Sequence, residues 1–472
     1  MKRIKIESNL GRRGLRPDFT PLAGEGEMKS ALASAKGAAP ILIILLLLSA
    51  CTSVSYEEHT EAGSKYVLGN GMTVILKENK DTGMIAIDLM VKKSLTADGE
   101  KNGLGFFTTR MLLAGTKTRT KEDIQQQIEE VGGTIKARTY AEYSEIVIDV
   151  PSDSFSVALD VLQDILLNSQ FTPEEVEKER EQIIGELEAK NDQPDTVAEE
   201  LFMKTMYEGH PYEHPIDGYV ETVEKITRED IVNHYNTWYV PSNMYIAIVG
   251  NQKKDATIRA LRYLFSTKEK PAPNENTPLL PPRAASKTET LNMPIESFYI
   301  QQGYQLVPAT DPDFTKLRVL NAIIGSGSGS RLFYELRDLR ALAYSVYSLT
   351  PSVRTTGFTK IVMISRPQVL NESLAGINEQ IERIKKEDVP EDELQLVKQK
   401  MRGFFFLDHQ RTIDQANYLA LYEMQGLGYN YDIDYPDMLT RVTAPEVKYV
   451  ANKYFNNPAT AIVGPFEEAK IE

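Results

Sequence analysis

The stretch TPEEVEKEREQI, residues 172–183, has a counterpart in VPEDELQLVKQK, residues 389–400. In both stretches a proline stands near the start and acidic residues follow it at once, a combination typical of the first turn of a helix. A recurrence at so long a separation indicates that the chain carries one structural unit twice.

A second signal follows each of these stretches at nearly the same distance. Thr227 lies 54 positions after Pro173, and Thr443 lies 53 positions after Pro390. Each threonine has an acidic residue three positions later, as in the capping box that begins many helices. The spacing therefore supports two similar domains rather than one repeated motif.

Strand patterns occur in pairs, with helical patterns between the pairs. The segment KYVLGNGMTVILKEN, residues 65–79, predicts a hairpin that turns at Asn70-Gly71. Further strands are predicted at 84–92, 143–151, 244–250 and 459–464, and helices at 121–133, 155–168 and 172–190. This order predicts an α+β fold of two homologous domains, each a largely antiparallel sheet packed with helices, rather than a doubly wound parallel sheet.

Composition limits the classes of partner. The chain has 472 residues and is 42% hydrophobic and 25% charged, values typical of a globular protein with a sizeable core. Its formal net charge is -14, and no basic stripe is evident, which argues against a nucleic-acid partner. A single cysteine excludes a disulfide within the chain.

That cysteine ends a segment with the features of a signal peptide. From Met28 the sequence reads MKSALASAKGAAPILIILLLLSACTS, with lysines before an apolar run and small residues before Cys51. This resembles the lipobox of bacterial lipoproteins, in which the cysteine is acylated and becomes the mature N-terminus. The alternative is an ordinary membrane anchor, but the apolar run is short for one. Thr52 follows the cysteine, which by the same resemblance favours the outer membrane of a Gram-negative bacterium.

The predicted boundaries follow from these signals. The N-terminal extension and lipoprotein signal peptide comprise residues 1–50, and a tether comprises 51–64. The N-terminal domain is expected at 65–267 and the C-terminal domain at 289–472. Between them, residues 268–288 are rich in proline and are predicted to be a linker.

The motifs in both halves resemble those of the insulinase/pitrilysin family of zinc peptidases, which includes the mitochondrial processing peptidases. In the N-terminal half the resemblance is carried by LGNGMTVILKEN, VGGTIKARTYAEYSEIVIDVP, HPYEHPIDG and YNTWYVPSNMYIAIVG. In the C-terminal half it is carried by SRLFYELRDLRALAYSVYS. It extends over essentially everything after residue 64.

The stretch GLGFFTTRMLLAGTKTRT, residues 103–120, stands where this family has its catalytic motif H-x-x-E-H. In that motif two histidines on one helix face bind zinc, and the glutamate activates the metal-bound water. The resemblance places Phe106, Thr109 and Arg110 at these positions, so all three reactive groups are replaced. We therefore expect no metal or other cofactor in this chain.

Two downstream carboxylates match the family pattern. Glu186 corresponds to the third zinc ligand, and Glu179 corresponds to its companion. Without imidazoles we expect them to be solvated helix charges, with Glu186 paired to Arg110. His210 and His214 are spaced four apart, but the prolines in GHPYEHP argue against a helical metal site.

The family also positions substrate with an arginine and a tyrosine seven residues apart in the C-terminal domain. Arg337 and Tyr344 have this spacing. An arginine can hold a peptide carbonyl or carboxylate, and a tyrosine can donate to a developing oxyanion. The alternative is an arginine on a helix face and a tyrosine in the core.

Some bacterial members of the family are heterodimers in which one subunit has the zinc motif and the other supplies the arginine and tyrosine. The chain resembles the second kind. We therefore expect a non-catalytic, peptide-binding subunit that works with an H-x-x-E-H homologue, which holds the zinc, and that is lipid-anchored in the cell envelope, facing the periplasm. The alternative is a structural or chaperone-like lipoprotein with no role in proteolysis. An adjacent gene for an intact homologue would favour the first interpretation.

Overall fold

A computed structural model describes residues 54–266, 270–278 and 280–466 of the chain. The predicted signal peptide and Cys51 lie outside these residues. Within the described part, no helix combines the length and the apolar character needed to cross a membrane.

Twelve strands are present in the described ranges and form two sheets. They are β1 Val54–His59, β2 Ser64–Leu68, β3 Thr73–Glu78, β4 Met84–Lys92, β5 Thr134–Thr139, β6 Tyr143–Pro151, β7 Met244–Gly250, β8 Lys287–Asn292, β9 Phe298–Leu306, β10 Ala343–Leu349, β11 Gly357–Ser365 and β12 Ala459–Gly464. The first sheet has the order β1-β2-β3-β7-β4-β6-β5 and the second β10-β11-β9-β12-β8.

Fourteen α-helices accompany these strands in the same ranges. They are α1 Leu104–Met111, α2 Lys121–Glu130, α3 Phe155–Leu167, α4 Pro173–Lys190, α5 Pro194–Met206, α6 Val220–Val223, α7 Arg228–Trp238, α8 Lys254–Leu264, α9 Phe314–Gly325, α10 Leu370–Lys386, α11 Glu391–Asp408, α12 Thr412–Gln425, α13 Tyr431–Arg441 and α14 Ala444–Tyr454. A π-helix, Phe333–Leu339, precedes β10.

The predicted repeat is confirmed by the topology. The sheet order β3-β7-β4-β6-β5 reappears as β8-β12-β9-β11-β10, and in each series only the first pair is parallel. Thr227 and Thr443 both form capping boxes, at the starts of α7 and α14. The order of helices also matches, so that α1 corresponds to α9 and α4 corresponds to α11. The mostly antiparallel α+β architecture is therefore as predicted.

The two halves, residues 54–266 and 287–466, exchange a helix. Helix α5 of the first half packs on the second sheet, where Phe202 lies against Phe358 with ring centroids 5.5 Å apart. Helix α12 of the second half packs on the first sheet, where Leu419 and Ala420 join a fully buried cluster with Ile75. Because α5 and α12 hold the same place in the repeat, each sheet is covered on one face by the other half.

The proline-rich segment lies against both halves. Thr277 hydrogen-bonds Ser94 at 3.0 Å, and Glu275 pairs with Arg354 at 2.5 Å. Strand β8 begins at Lys287, so the last two residues of the predicted linker belong to the second sheet. Glu275 and Thr277 are thus held by contacts that the composition of the segment did not predict.

Candidate functional site

Helix α1 carries the positions of the degenerate motif. Its start is held by Asp98, whose carboxylate accepts hydrogen bonds from the amides of Gly103 and Gly105 at 3.1 and 2.9 Å. Gly103 has φ 94°, and a side chain there would meet the carbonyl oxygen of Asp217 at 2.6 Å. Glycine is therefore required at this turn. Helix α1 then packs against α4, α7 and β5.

Arg110 joins the two carboxylates of α4. Its Nε lies 2.5 Å from Glu179 Oε1, and its Nη1 lies 2.5 Å from Glu186 Oε2. The predicted Arg110–Glu186 pair is therefore present. Partial burial alone would raise the pKa of Glu186, but hydrogen bonding and the charge of Arg110 outweigh it and hold the pKa below its usual range.

Glu179 differs from the sequence-based expectation of a solvated charge. It is only 4% exposed, and its second oxygen lies 3.2 Å from Lys121 Nζ. A carboxylate can be buried at this depth because two cations and their hydrogen bonds compensate for lost hydration. The helix periodicity of α4 did not reveal this, since both cations come from other elements.

Thr109 occupies the position of the family's catalytic glutamate. The side chain is 1% exposed, and its hydroxyl lies 2.8 Å from the carbonyl oxygen of Gly105, 2.7 Å from Ser144 Oγ and 2.9 Å from Tyr239 OH. A hydroxyl engaged in this way is a structural tie between α1, β6 and the end of α7. It offers no base for activating water.

Phe106, at the position of the first histidine, lies beside an apolar cavity of about 370 Å³. Leu95, Met203 and Ile216 also line it. Four carboxylates and two basic side chains line it as well: Glu199, Glu200, Glu213, Asp217, Lys190 and His214. Sequence reasoning missed this cavity, because its walls come from segments that share no local pattern.

The donor set at α1 and α4 does not fit zinc. The guanidinium of Arg110 holds the two carboxylates that a cation would need, and no imidazole replaces the lost histidines. In the described ranges, no three histidine, cysteine or acidic side chains are grouped to hold a metal ion.

The histidines of the GHPYEHP loop contact other protein groups. His210 Nδ1 accepts from the amide of Tyr212 at 3.1 Å, and its Nε2 lies 3.0 Å from the carbonyl oxygen of Pro278. His214 Nδ1 lies 3.2 Å from Tyr219 OH.

Arg337 and Tyr344 lie on consecutive elements of the second half. Arg337 is exposed on the π-helix, with its guanidinium 4.7 Å from the ring centroid of Phe333. Tyr344 is 60% exposed on the edge strand β10, at an irregularity in the register with β11, so the alternative of a core tyrosine is wrong. It lines an open groove together with Arg366 and Glu296. Arg337 does not line that groove.

Family models match both halves of the chain. Residues 73–218 match the model described as Insulinase (Peptidase family M16), and residues 225–401 match the model described as Peptidase M16 inactive domain. The model described as an inactive domain matches residues 225–401 and does not include α1. The loss of the zinc motif is therefore shown by the residues of α1 and not by that match.

Proteins with similar sequences are described as zinc proteases. A protein of Rickettsia felis described as an uncharacterized zinc protease is 27% identical over 84% of this chain and 96% of its own length. One of Streptomyces coelicolor with the same description is 28% identical over 78% of this chain and 82% of its own length.

Solved structures share the fold. The peptidase M16 inactive domain from Pseudomonas fluorescens superposes with a TM-score of 0.80 at 21% identity, covering 85% of this chain and 98% of that chain. A protease from Helicobacter pylori gives a TM-score of 0.80 at 20% identity, covering 88% and 100%. The periplasmic protease PqqL from Escherichia coli gives 0.74 at 16% identity, covering 88% and 46%.

Proposed function

Because the chain belongs to the insulinase family, peptidase family M16, and lacks that family's catalytic motif, we propose that it is the non-catalytic, peptide-binding subunit of a heteromeric zinc metallopeptidase. The observation that carries this proposal is the arrangement around Arg110. Arg110, at the position that matches the family's second histidine, pairs with both carboxylates of α4. The fold is thus complete without zinc, and chemistry requires a homologous partner that has the H-x-x-E-H motif and holds the zinc.

In this proposal Arg337 and Tyr344 act on the peptide held by the partner. Their exposure supports the role, since a residue that reaches across an interface must not be buried in its own core. The groove beside Tyr344 leaves room for an extended chain. The tyrosine hydroxyl would donate to the developing oxyanion, and the arginine fork would hold a carbonyl or carboxylate group of the substrate.

The test is to purify the complex with an H-x-x-E-H homologue from the same cell and to measure peptide hydrolysis with Tyr344→Phe in this chain. Turnover should fall by roughly a hundredfold, because one oxyanion donor is removed while packing volume is kept. Assembly and peptide affinity should change little. The matched control is Tyr449→Phe, since Tyr449 is 55% exposed on another element, α14.

Unchanged turnover with Tyr344→Phe would favour the structural or chaperone-like alternative. Arg337→Lys gives a second reading, because lysine keeps the charge and loses the planar fork. It should also slow turnover. A complex that hydrolyses peptide equally well without this chain would contradict the proposal as a whole.

We also propose that Cys51 carries lipid and holds the protein at the outer membrane of a Gram-negative cell, facing the periplasm. The support is the lipobox-like sequence before the cysteine. Cys51→Ala should abolish incorporation of labelled palmitate and leave an unprocessed precursor. A variant that is still cleaved after Ala50 and still fractionates with membranes would contradict the lipid anchor.

A further inference from the structure

The second half contains a cavity of about 350 Å³ between α9, α11, α12 and α13. Part of its wall is formed by aromatic side chains from α11, α12 and α13: Phe405, Tyr418, Tyr422, Tyr431 and Tyr435. The rings form a continuous series, with centroids 4.9 Å apart for Tyr422–Tyr431, 5.3 Å for Tyr431–Tyr435 and 5.4 Å for Phe405–Tyr435.

Arg318 of α9 projects among these rings and also lines the cavity. Its guanidinium carbon lies 4.7 Å from the ring centroid of Tyr435. No described carboxylate lies within ion-pair distance of Arg318, whereas the nearby Asp432 is already engaged by His409 at 3.0 Å and Lys77 at 3.4 Å. Arginine stays charged at every physiological pH. Arg318 is partly buried, and cation–π contact compensates for only part of the hydration that it has lost, so an anion would stabilise this charge further.

The hydroxyl of Tyr435 gives an independent sign that an acceptor belongs in the cavity. Tyr435 is 1% exposed, and its hydroxyl has no hydrogen-bond partner among the described residues. Burial raises the pKa of Tyr435 to about 12, although Arg318 opposes this, so the group remains a neutral donor. Unpaired buried hydroxyls are costly and uncommon. A ligand oxygen would satisfy this one.

The geometry points to a binding site for a small organic carboxylate with an aromatic or apolar body, which we propose for the cavity around Arg318. A planar carboxylate matches the guanidinium fork, and the ring walls suit an apolar or planar group. A monoanion is favoured over a phosphate dianion, because Arg318 is the one arginine or lysine among the described residues that line the cavity and because Asp408 also lines it. Either a free acid or the C-terminal residue of a peptide supplies this chemistry. The proposal does not depend on the function proposed above.

The site has a defined place in the repeat. Its walls α9 and α11 correspond to α1 and α4, between which the first half holds Arg110 with its two carboxylates. The two halves thus differ in one respect that matters for binding. Arg110 is paired with two carboxylates of its own chain, whereas Arg318 has no described carboxylate within ion-pair distance.

The test uses the full chain and isothermal titration calorimetry with 3-phenylpropanoate, and 3-phenylpropanamide as the neutral match. The carboxylate should bind saturably and the amide at least tenfold more weakly, because the amide lacks the charge-assisted hydrogen bonds. Arg318→Met should weaken carboxylate binding by roughly ten- to a hundredfold, and Tyr435→Phe by about three- to tenfold. Arg402→Met is the control, since Arg402 is exposed on α11, and it should bind as the unchanged protein does.

Two further probes identify the source of the carboxylate. If a tetrapeptide that ends in phenylalanine binds, and its C-terminal amide does not, the site is assigned to peptide termini. If 3-phenylpropanoate binds and the tetrapeptide does not, the site is assigned to free acids. Equal binding of acid and amide, tighter binding of benzyl phosphate, or no saturable binding would each overturn the proposal. If Arg318→Met does not fold, an unchanged affinity in Tyr435→Phe would still overturn it.

Discussion

Arg110 Nη1 lies 2.5 Å from Glu186 Oε2, across the gap between α1 and α4. On the buried side, Glu179 Oε1 lies 2.5 Å from Arg110 Nε. The family's third-ligand position has thereby become one end of an internal ion pair. Loss of the zinc motif did not leave two unpaired carboxylates, because the arginine at the position of the second histidine supplies their cation.

Arg110→Met should lower the free energy of unfolding by about 2–4 kcal/mol, because Glu179 stays buried with only Lys121 beside it. Urea denaturation measures this. Arg411→Met is the matched control, since Arg411 is 75% exposed in its pair with Asp414 and should change stability by at most about 1 kcal/mol. If both substitutions lowered the free energy of unfolding equally, the ion pairs of Arg110 would stabilise the protein no more than an exposed pair does.

Phe106→His with Arg110→His should create a zinc site. The two imidazoles would stand one helical turn apart, and removal of the guanidinium frees Glu186 as the third ligand. Metal analysis after dialysis should find about one zinc per chain in the double variant and none in the unchanged protein. Adding Glu186→Gln should abolish the gain. Stoichiometric zinc in the unchanged protein would contradict our reading of the site. Peptidase activity is not expected, because the double variant keeps Thr109, which offers no base. Adding Thr109→Glu would press a carboxylate between Ser144 and Tyr239.

Gly105→Ala should destabilise the protein by about 1–3 kcal/mol. A Cβ at this position collides with Nζ of Lys93, which is fully buried, and meets Asp98 Oδ1 at 2.8 Å. The control is Gly185→Ala on α4, where a Cβ meets nothing within 4 Å and should stabilise the helix by roughly 0.5–1 kcal/mol. Thermal unfolding distinguishes the two. Shifts in the same direction would show that Lys93 moves aside freely.

Asp98 should make stability depend on pH in an unusual direction. Burial raises the pKa of Asp98 to about 6, although Lys93 and the amides of Gly103 and Gly105 oppose it. An unfolded aspartate titrates near about 3.9, so the folded state holds the proton more tightly between these values. The contribution of Asp98 is therefore fully present below about pH 4 and is lost as pH rises through about 6.

Asp98→Asn removes this titration, so it serves as the reference. The stability of the unchanged protein relative to Asp98→Asn should fall by up to about 3 kcal/mol from pH 4 to pH 7. His234 lies near Asp98, and burial and Lys93 lower its pKa, but it is present in both proteins. Denaturation at matched ionic strength measures the difference. A difference that stays constant or grows with pH would contradict the raised pKa.

Asn417 of α12 ties the second half to two buried carboxylates of the first sheet. Its Nδ2 lies 3.1 Å from Asp88 Oδ2 and 2.5 Å from Glu145 Oε1. Burial raises the pKa of Asp88, and the neighbouring Glu145 raises it further. Asn417→Leu should therefore cost about 2–4 kcal/mol, because two buried acceptors lose their donor. Asn452→Ala, at an exposed helix site, should lower the free energy of unfolding by less than about 1 kcal/mol. A similar loss of stability in both variants would show that the hydrogen bonds of Asn417 do not hold the two halves together.

The sequence by itself determined the features that depend on short windows. The turn at Asn70-Gly71, the capping boxes at Thr227 and Thr443 and the repeated helix starts were predicted, because hydrogen bonds among neighbouring residues set them. The replacements at Phe106, Thr109 and Arg110 were equally visible, since the motif they interrupt lies within one helix. The Arg110–Glu186 pair was predicted because its partners are family ligand positions.

Only the tertiary structure decided which surfaces meet. The exchange of α5 and α12 depends on contacts such as Phe202 with Phe358, in opposite halves of the chain, and amphipathic periodicity says that a face is buried without saying against which sheet. Glu179 looked like a solvated helix charge because its cations come from α1 and α2. Arg318 looked like any helical arginine until α11, α12 and α13 placed aromatic rings around it, with no described carboxylate within ion-pair distance. Burial and charge balance are sums over neighbours distant in sequence, so they are fixed only when the fold brings those neighbours together.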